Sequence, residues 1–186
     1  MKYIFDFDDV LFNNTKQLKE HMYACLEEVG VSRLLAETYY KEVRNKEFIM
    51  KKFISALFAG EKINKISKQE LYEKIMVKSK KFINSELIKV VKKIGKQNCY
   101  MVTHGNKSHQ LDKIERTGLA SLFSEIFIVQ KSKKQSIEKI CAKHKNEEVI
   151  FIDDKAKRFE DLNFVKYPNL RTILYTGQDL SILSQS

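Results

Sequence analysis

Five short apolar runs punctuate the chain: KYIFDF (2–7), NCYMVT (98–103), EIFIVQ (125–130), EVIFID (148–153) and RTILYT (171–176). Each has the length and the β-branched or aromatic content of a buried strand. Between the last four runs, apolar residues recur at helical spacing over 107–117 (Leu111, Ile114), 134–144 (Ile137, Ile140, Cys141) and 155–164 (Phe159, Leu162). Strands alternating with helices of crossover length predict an α/β fold, a parallel sheet of about five strands covered on both faces.

The interval after the first run breaks this rhythm. Residues 15 to about 95 contain no strand pattern, but Leu18, Met22, Cys25, Leu26 and Val29 keep helical spacing, as do Leu71, Ile75 and Met76. Gly30 and Gly60 read as helix ends, and Phe48, Phe53, Ile54, Leu57 and Phe58 form a second apolar block. Residues 85–94 (Leu87, Ile88, Val91, Ile94) read as the first crossover helix back to the sheet. A helical module over 15–85 is therefore inserted after the first strand, longer than a connecting loop needs to be. The sheet domain takes 1–14 and 86–186.

Composition narrows the classes. A chain of 186 residues, 43% hydrophobic with 12 Phe, can build a real core and is not globally disordered. The net charge of +10 (34 Lys+Arg against 24 Asp+Glu) allows attraction to nucleic acid, but the lysines are spread along predicted helices without a dense Arg cluster. A solvated surface is the favoured reading, and nucleic acid a less favoured partner. Cys25, Cys99 and Cys141 are odd in number and lack ligand spacing, which predicts free thiols in a reducing compartment. No apolar run approaches the roughly 18 residues of a membrane span and no signal peptide precedes the first strand, so a cytoplasmic protein without a membrane partner is expected.

The polar residues at the strand ends carry the chemistry. In an open parallel sheet, ligands bind beyond the carboxyl ends of the strands. There the first run leads into Asp6-Phe7-Asp8-Asp9 and the second into Thr103-His104-Gly105-Asn106. The third leads into Lys131-Ser132-Lys133-Lys134, and the fourth into Asp153-Asp154-Lys155. Carboxylates suit Mg²⁺, a hydroxyl and backbone N–H groups suit phosphoryl oxygens, a Lys can neutralise developing charge, and a carboxylate can attack phosphorus. Structural roles compete at several positions. Asp9 reads as a turn cap, Asn13, Asn14 and Thr15 as an N-cap, Asp153 as a structural acid, and His21, His109 and His144 as surface residues. For Asp6 and Asp8, acids set against a buried strand, no structural role suffices.

These segments, in this order, resemble the four motifs of the haloacid dehalogenase-like superfamily, in its phosphatase branch. IFDFDDVLF matches the first, CYMVTHGN the second, KSKK supplies the third and VIFIDDKAKRFED the fourth. THGNKSHQLDKIERTGLASLFSEIFIV also resembles the usual link between the second and third motifs. The resemblance implies a Rossmann-like core with an inserted helical cap. It further implies Asp6 as nucleophile and Asp8 as the acid that protonates the leaving oxygen and then activates water. Mg²⁺ would be held by the Asp6 side chain, the Asp8 backbone carbonyl and Asp154, with Asp153 supporting it or sharing the ligation. Thr103 and the His104 backbone N–H would bind the phosphoryl group. Lys134 is the chosen third-motif lysine, with Lys131 and Lys133 open.

The expected activity is Mg²⁺-dependent hydrolysis of a small phosphate monoester through an aspartyl-phosphate. A nucleotide or nucleic-acid 3′-phosphatase and a phosphomutase are alternatives, and a basic binding module with a relic site is the non-enzymatic one. A receiver domain fits poorly, because its acid pair belongs on the first strand whereas here a pair closes a late one. A dehalogenase has no need of Asp8 or of Asp153-Asp154. Nothing in Tyr39, Tyr40, Lys46 or Phe48 selects a substrate, and the sequence does not define the oligomeric state.

Overall fold

In the computed structural model, which describes residues 1–44 and 48–184, all five apolar runs are strands. They are β1 (Lys2–Phe5), β2 (Cys99–His104), β3 (Glu125–Val129), β4 (Val149–Asp153) and β5 (Leu170–Leu174). Every pairing is parallel, in the order β3-β2-β1-β4-β5, so the carboxyl ends share one edge. The connection order reverses between β1 and β4, where open α/β sheets place their ligand crevice.

Side chains on the central strands alternate between two apolar layers, as strand geometry requires. Tyr3, Phe5, Met101, Ile150 and Ile152 face one layer; Ile4, Tyr100, Val102, Val149 and Phe151 face the other. The insertion comprises α1 (Lys19–Glu28), α2 (Arg33–Arg44), α3 (Met50–Gly60) and α4 (Lys68–Met76). The crossover helices are α5 (Ser85–Ile94), α6 (Lys107–Thr117) and α7 (Lys134–Lys143). Leu87, Val91 and Ile114 of α5 and α6 pack into the first layer, while Ile137, Ile140 and Cys141 of α7 pack into the second. All three cysteines are buried free thiols, and among the described residues no helix is long and apolar enough to cross a membrane.

The helix expected over 155–164 does not form. Ala156–Arg158 makes one 3₁₀ turn and the chain then runs through turns to β5. Phe159 and Leu162 still cover the second layer, but two apolar positions do not make a helical stripe. The Asn163 side chain accepts the Lys166 N–H at 2.9 Å and caps a single turn that begins where the expected helix was to end.

The insertion shares the first layer: Leu18, Met22, Leu26, Phe53, Leu57, Leu71 and Ile75 belong to the same continuous apolar cluster as Phe5 and Met101. Its two crossings lie side by side at the end of β1. Asn13 N–H donates to Phe82 O (2.7 Å), Asn84 N–H to Leu11 O (2.8 Å) and Asn84 Nδ2 to Val10 O (3.1 Å). The cap of the first inserted turn is Asp9, not Asn13, Asn14 or Thr15. Its Oδ1 accepts the Thr15 N–H at 2.7 Å and its Oδ2 the Thr15 hydroxyl, with the backbone at φ 60°. Further out, Tyr72 Oη on α4 donates to Asp112 on α6 (2.5 Å), and Arg116 binds Glu73 at 2.8 and 2.9 Å. These bonds pin the insertion to the core. Lys46 lies outside the described residues.

His109, expected at the surface, is not there. It is buried on α6 with its ring 6.2 Å from that of Phe48, because the inserted helices cover a face the sequence presents as solvated. Burial first, then the neighbouring Lys113, pushes its pKa down to about 4. The folded state thus refuses a proton that the unfolded chain accepts below its ordinary value of 6.5. His109 therefore costs no stability above pH 6.5 and destabilises the fold progressively as pH falls toward 4, by at most about 3 kcal/mol. In thermal melts, His109→Gln should flatten the decline of Tm across that window relative to wild type. Parallel declines would contradict it.

Candidate active site

The site begins where β1 stops. Asp6 continues the ladder by one bond, its N–H donating to Ile152 O (2.9 Å), and then turns its carboxylate into the crevice. The side chain is buried, with Oδ1 accepting the Phe7 N–H (2.7 Å) and lying 2.7 Å from the Lys133 ammonium. Asp153, the last residue of the neighbouring β4, shares that lysine. Its Oδ2 accepts from Lys133 Nζ at 2.6 Å and its Oδ1 from the Lys155 N–H at 2.9 Å. Asp154 sits one residue further, in the turn. Its Oδ1 is buried with no hydrogen-bond partner among the described residues, while Oδ2 lies 3.4 Å from Lys155 Nζ. Asp6, Asp153 and Asp154 offer oxygens within 4.8 Å of one another.

The lysine in this cluster is Lys133, not the expected Lys134. Lys133 is the N-cap residue of α7 and shares a helix face with Ile137 and Ile140, four and seven residues on, so it points back over the sheet edge. Lys134 falls on the outer face, 40% exposed and 3.9 Å from Glu138. The apolar spacing of α7 contains this signal in the sequence, but counted from Lys133.

Thr103 is buried near the end of β2, and His104 closes the strand opposite Val129. Around them the structure brings in two residues that the sequence reading missed, Gln110 and Lys113 of α6. Gln110 Nε2 donates to Thr103 Oγ1 (2.8 Å), Asp8 Oδ2 (2.9 Å) and His104 O (3.1 Å). Lys113 Nζ donates to Asp8 Oδ1 at 2.5 Å. The reading of α6 rested on Leu111 and Ile114, but Leu111 is 42% exposed. The buried face is Gln110, Lys113, Ile114 and Thr117, a helical spacing carried mostly by polar residues. That spacing is legible in the sequence once polar positions are allowed to face inward.

The electrostatics divide the acids. Burial, partly offset by Lys133 and reinforced by Asp153, pushes the Asp6 pKa up to about 6, and burial likewise raises that of Asp154. Burial acts upward on Asp8 too, but the Lys113 ammonium and the bonds from Lys113 and Gln110 outweigh it and hold Asp8 below its ordinary value. Asp8 is thus already compensated, whereas Asp6 and Asp154 have too little positive charge nearby. A raised pKa on two neighbouring carboxylates, with one buried oxygen unpartnered among the described residues, means that a cation between them would be favoured. The donor set, all oxygen, suits Mg²⁺.

A family model of the haloacid dehalogenase-like hydrolases matches residues 3–157, and the chain belongs to that family. Solved structures agree on the fold. A haloacid dehalogenase-like hydrolase of Burkholderia xenovorans superimposes with TM-score 0.68 at 12% identity, over 97% of this chain and 84% of that one. A hydrolase of Streptococcus pneumoniae gives 0.57 at 17% identity, covering 99% and 96%. A β-phosphoglucomutase-like protein of Thermotoga maritima gives 0.58 at 14%, covering 98% and 90%. No curated protein matches the sequence significantly. The chain is a hydrolase-family enzyme with a parallel Rossmann-like core.

If the acid cluster is a cation site, Mg²⁺ should raise the Tm of wild type, by an amount equivalent to about 2.7 kcal/mol at 100 times its Kd. The shift should be largely lost in Asp154→Asn. Equal shifts in both proteins, read by scanning calorimetry, would place the metal elsewhere.

Proposed function

We propose that this chain is a Mg²⁺-dependent phosphatase that hydrolyses a small phosphate monoester through an aspartyl-phosphate on Asp6. The observation that supports it most is the Asp6 carboxylate itself. It is buried at the carboxyl edge of β1, Oδ1 is oriented by the Phe7 N–H and Lys133, and among the described residues Oδ2 accepts no hydrogen bond. Oδ2 is the oxygen for in-line attack on phosphorus, Lys133 offsets charge gathering on the transferring group, and the Asp8 carboxylate takes the proton of the bound phosphate monoanion and passes it to the leaving oxygen. In the second half-reaction Asp8 takes a proton from water as the water attacks the acyl phosphate and releases Asp6.

Thr103 Oγ1 and the His104 backbone N–H would supply the phosphoryl cradle beside Gln110. Asp6, the Asp8 carbonyl and Asp154 would hold Mg²⁺, which when bound neutralises phosphoryl charge. Asp153 supports them from behind, since both its oxygens are already engaged. The residues 15–85 insertion acts as the cap. A cleft of about 480 Å³ lies between Lys16, Thr15 and Arg44 on its side and Asp154 and Lys155 on the core side. Asp6 and Thr103 do not line it, so it would take the part of a small substrate that lies beyond the phosphoryl group. Buried free thiols agree with a reducing cytoplasmic setting.

Release of inorganic phosphate from an aryl phosphate should require Mg²⁺ and fall at least about 10³-fold in Asp6→Asn, as loss of a nucleophile demands. Equal release by both proteins would remove Asp6 as the nucleophile. A phosphomutase would share the first half-reaction but pass the phosphoryl group to a sugar instead of water, so sustained phosphate release also separates those two activities.

A further inference from the structure

Lys113 is a second buried amine, and nothing in the half-reactions above uses it. Its side chain is 2% exposed and its ammonium lies 5.4 and 5.6 Å from the ring centroids of Phe7 and Phe12. Its polar partners are Asp8 Oδ1 at 2.5 Å and, weakly, Asn14 Oδ1 at 3.5 Å. The rings and the Asp8 carboxylate compensate the ammonium, but apolar side chains in place of the whole Lys113–Asp8 pair would cost little or nothing in stability. Stability alone does not account for a lysine here. What the lysine achieves is geometric. With Lys113 on Oδ1 and Gln110 on Oδ2, both oxygens of Asp8 are tied to one helix, and the same Gln110 amide reaches Thr103 Oγ1.

Helix α6 is itself anchored on its other side by Asp112 to Tyr72 and by Arg116 to Glu73. The carboxylate is therefore fixed relative to the hydroxyl at the end of β2 by a platform that is held at both faces. We infer that Lys113, seconded by Gln110, is a positioning residue that holds the Asp8 carboxylate where it exchanges protons with the leaving oxygen and then with water. This role rests on the phosphatase reading. Lys113 touches no reacting atom, and its effect passes wholly through Asp8.

A double-mutant cycle tests it, with Mg²⁺ and an aryl phosphate as substrate, on wild type, Lys113→Met, Asp8→Asn and the double variant. Lys113→Met, which leaves the Asp8 carboxylate without its cation, should melt lower than wild type yet keep KM within about twofold and lose roughly 10²-fold in kcat where folded, the scale of general acid–base catalysis. In the Asp8→Asn background the same substitution should change kcat by less than about twofold, because the group through which it acts is gone. An undiminished kcat in Lys113→Met, or an equal loss in both backgrounds, overturns the role. Gln110→Leu, which leaves no buried ammonium or carboxylate unpaired by its own charge, makes the same test should Lys113→Met not fold, with a smaller expected loss of about tenfold in wild type and none in Asp8→Asn. No turnover by wild type would overturn the phosphatase reading and this role with it. Turnover by wild type with additive losses would overturn the role of Lys113 alone.

Discussion

The buried Lys133 ammonium, held between Asp6 at 2.7 Å and Asp153 at 2.6 Å, is the constraint on which the rest of the site depends. It joins the ends of the two strands that flank the switch in strand order to the first turn of α7. One cation among two carboxylates leaves an excess of negative charge in a place water scarcely reaches. Asp154 adds a third carboxylate that Lys155 at 3.4 Å offsets only in part, and its buried Oδ1 has no partner among the described residues. Such an arrangement is expensive on its own terms and would become favourable with the dication and phosphoryl group of the proposed reaction. The two buried lysines thus divide the acids by task. Lys133 leaves Asp6 short of positive charge and ready for a metal and an electrophile, whereas Lys113 fully compensates Asp8.

The helical insertion enters through the same small region. Its two crossings are stitched together at Leu11–Asn84 and Asn13–Phe82, immediately after the acids, and Asp9 in its left-handed conformation both turns the chain away from the sheet and caps the first inserted turn. The extra charge beside the site is thereby spent on local structure. Because the insertion shares one apolar cluster with the sheet and is tied to α6 by Tyr72–Asp112 and Glu73–Arg116, it rests on the core rather than hanging from it.

The strands and the crossover helices α5, α6 and α7 were legible in the sequence because burial on both faces of a parallel sheet leaves continuous apolar runs, and helices of ten or eleven residues leave a stripe. The link from β4 to β5 was not, since Phe159 and Leu162 carry their burial without a helix between them. Asp6, Thr103, Asp153 and Asp154 could be placed at one edge because strand ends are fixed by those runs. Lys133, Gln110 and Lys113 escaped for a different reason: their positions depend on helix phase, and a shift of one residue moves a side chain by about 100° around the axis. A polar residue on a buried face also looks, in sequence, like a residue on the outer one. His109 was missed in that way, since its burial comes from Phe48 in a distant segment.

In the proposed reaction the phosphoryl group passes covalently through Asp6. The most direct measurement of that step is acid quenching of the enzyme during turnover of an aryl phosphate with Mg²⁺, followed by mass spectrometry of the peptide that contains Asp6, Asp8 and Asp9. A phosphoryl group on Asp6 should appear with substrate and decay when substrate is exhausted. A phosphoryl group on another residue, or turnover with no phosphorylated peptide at any quench time, would contradict it.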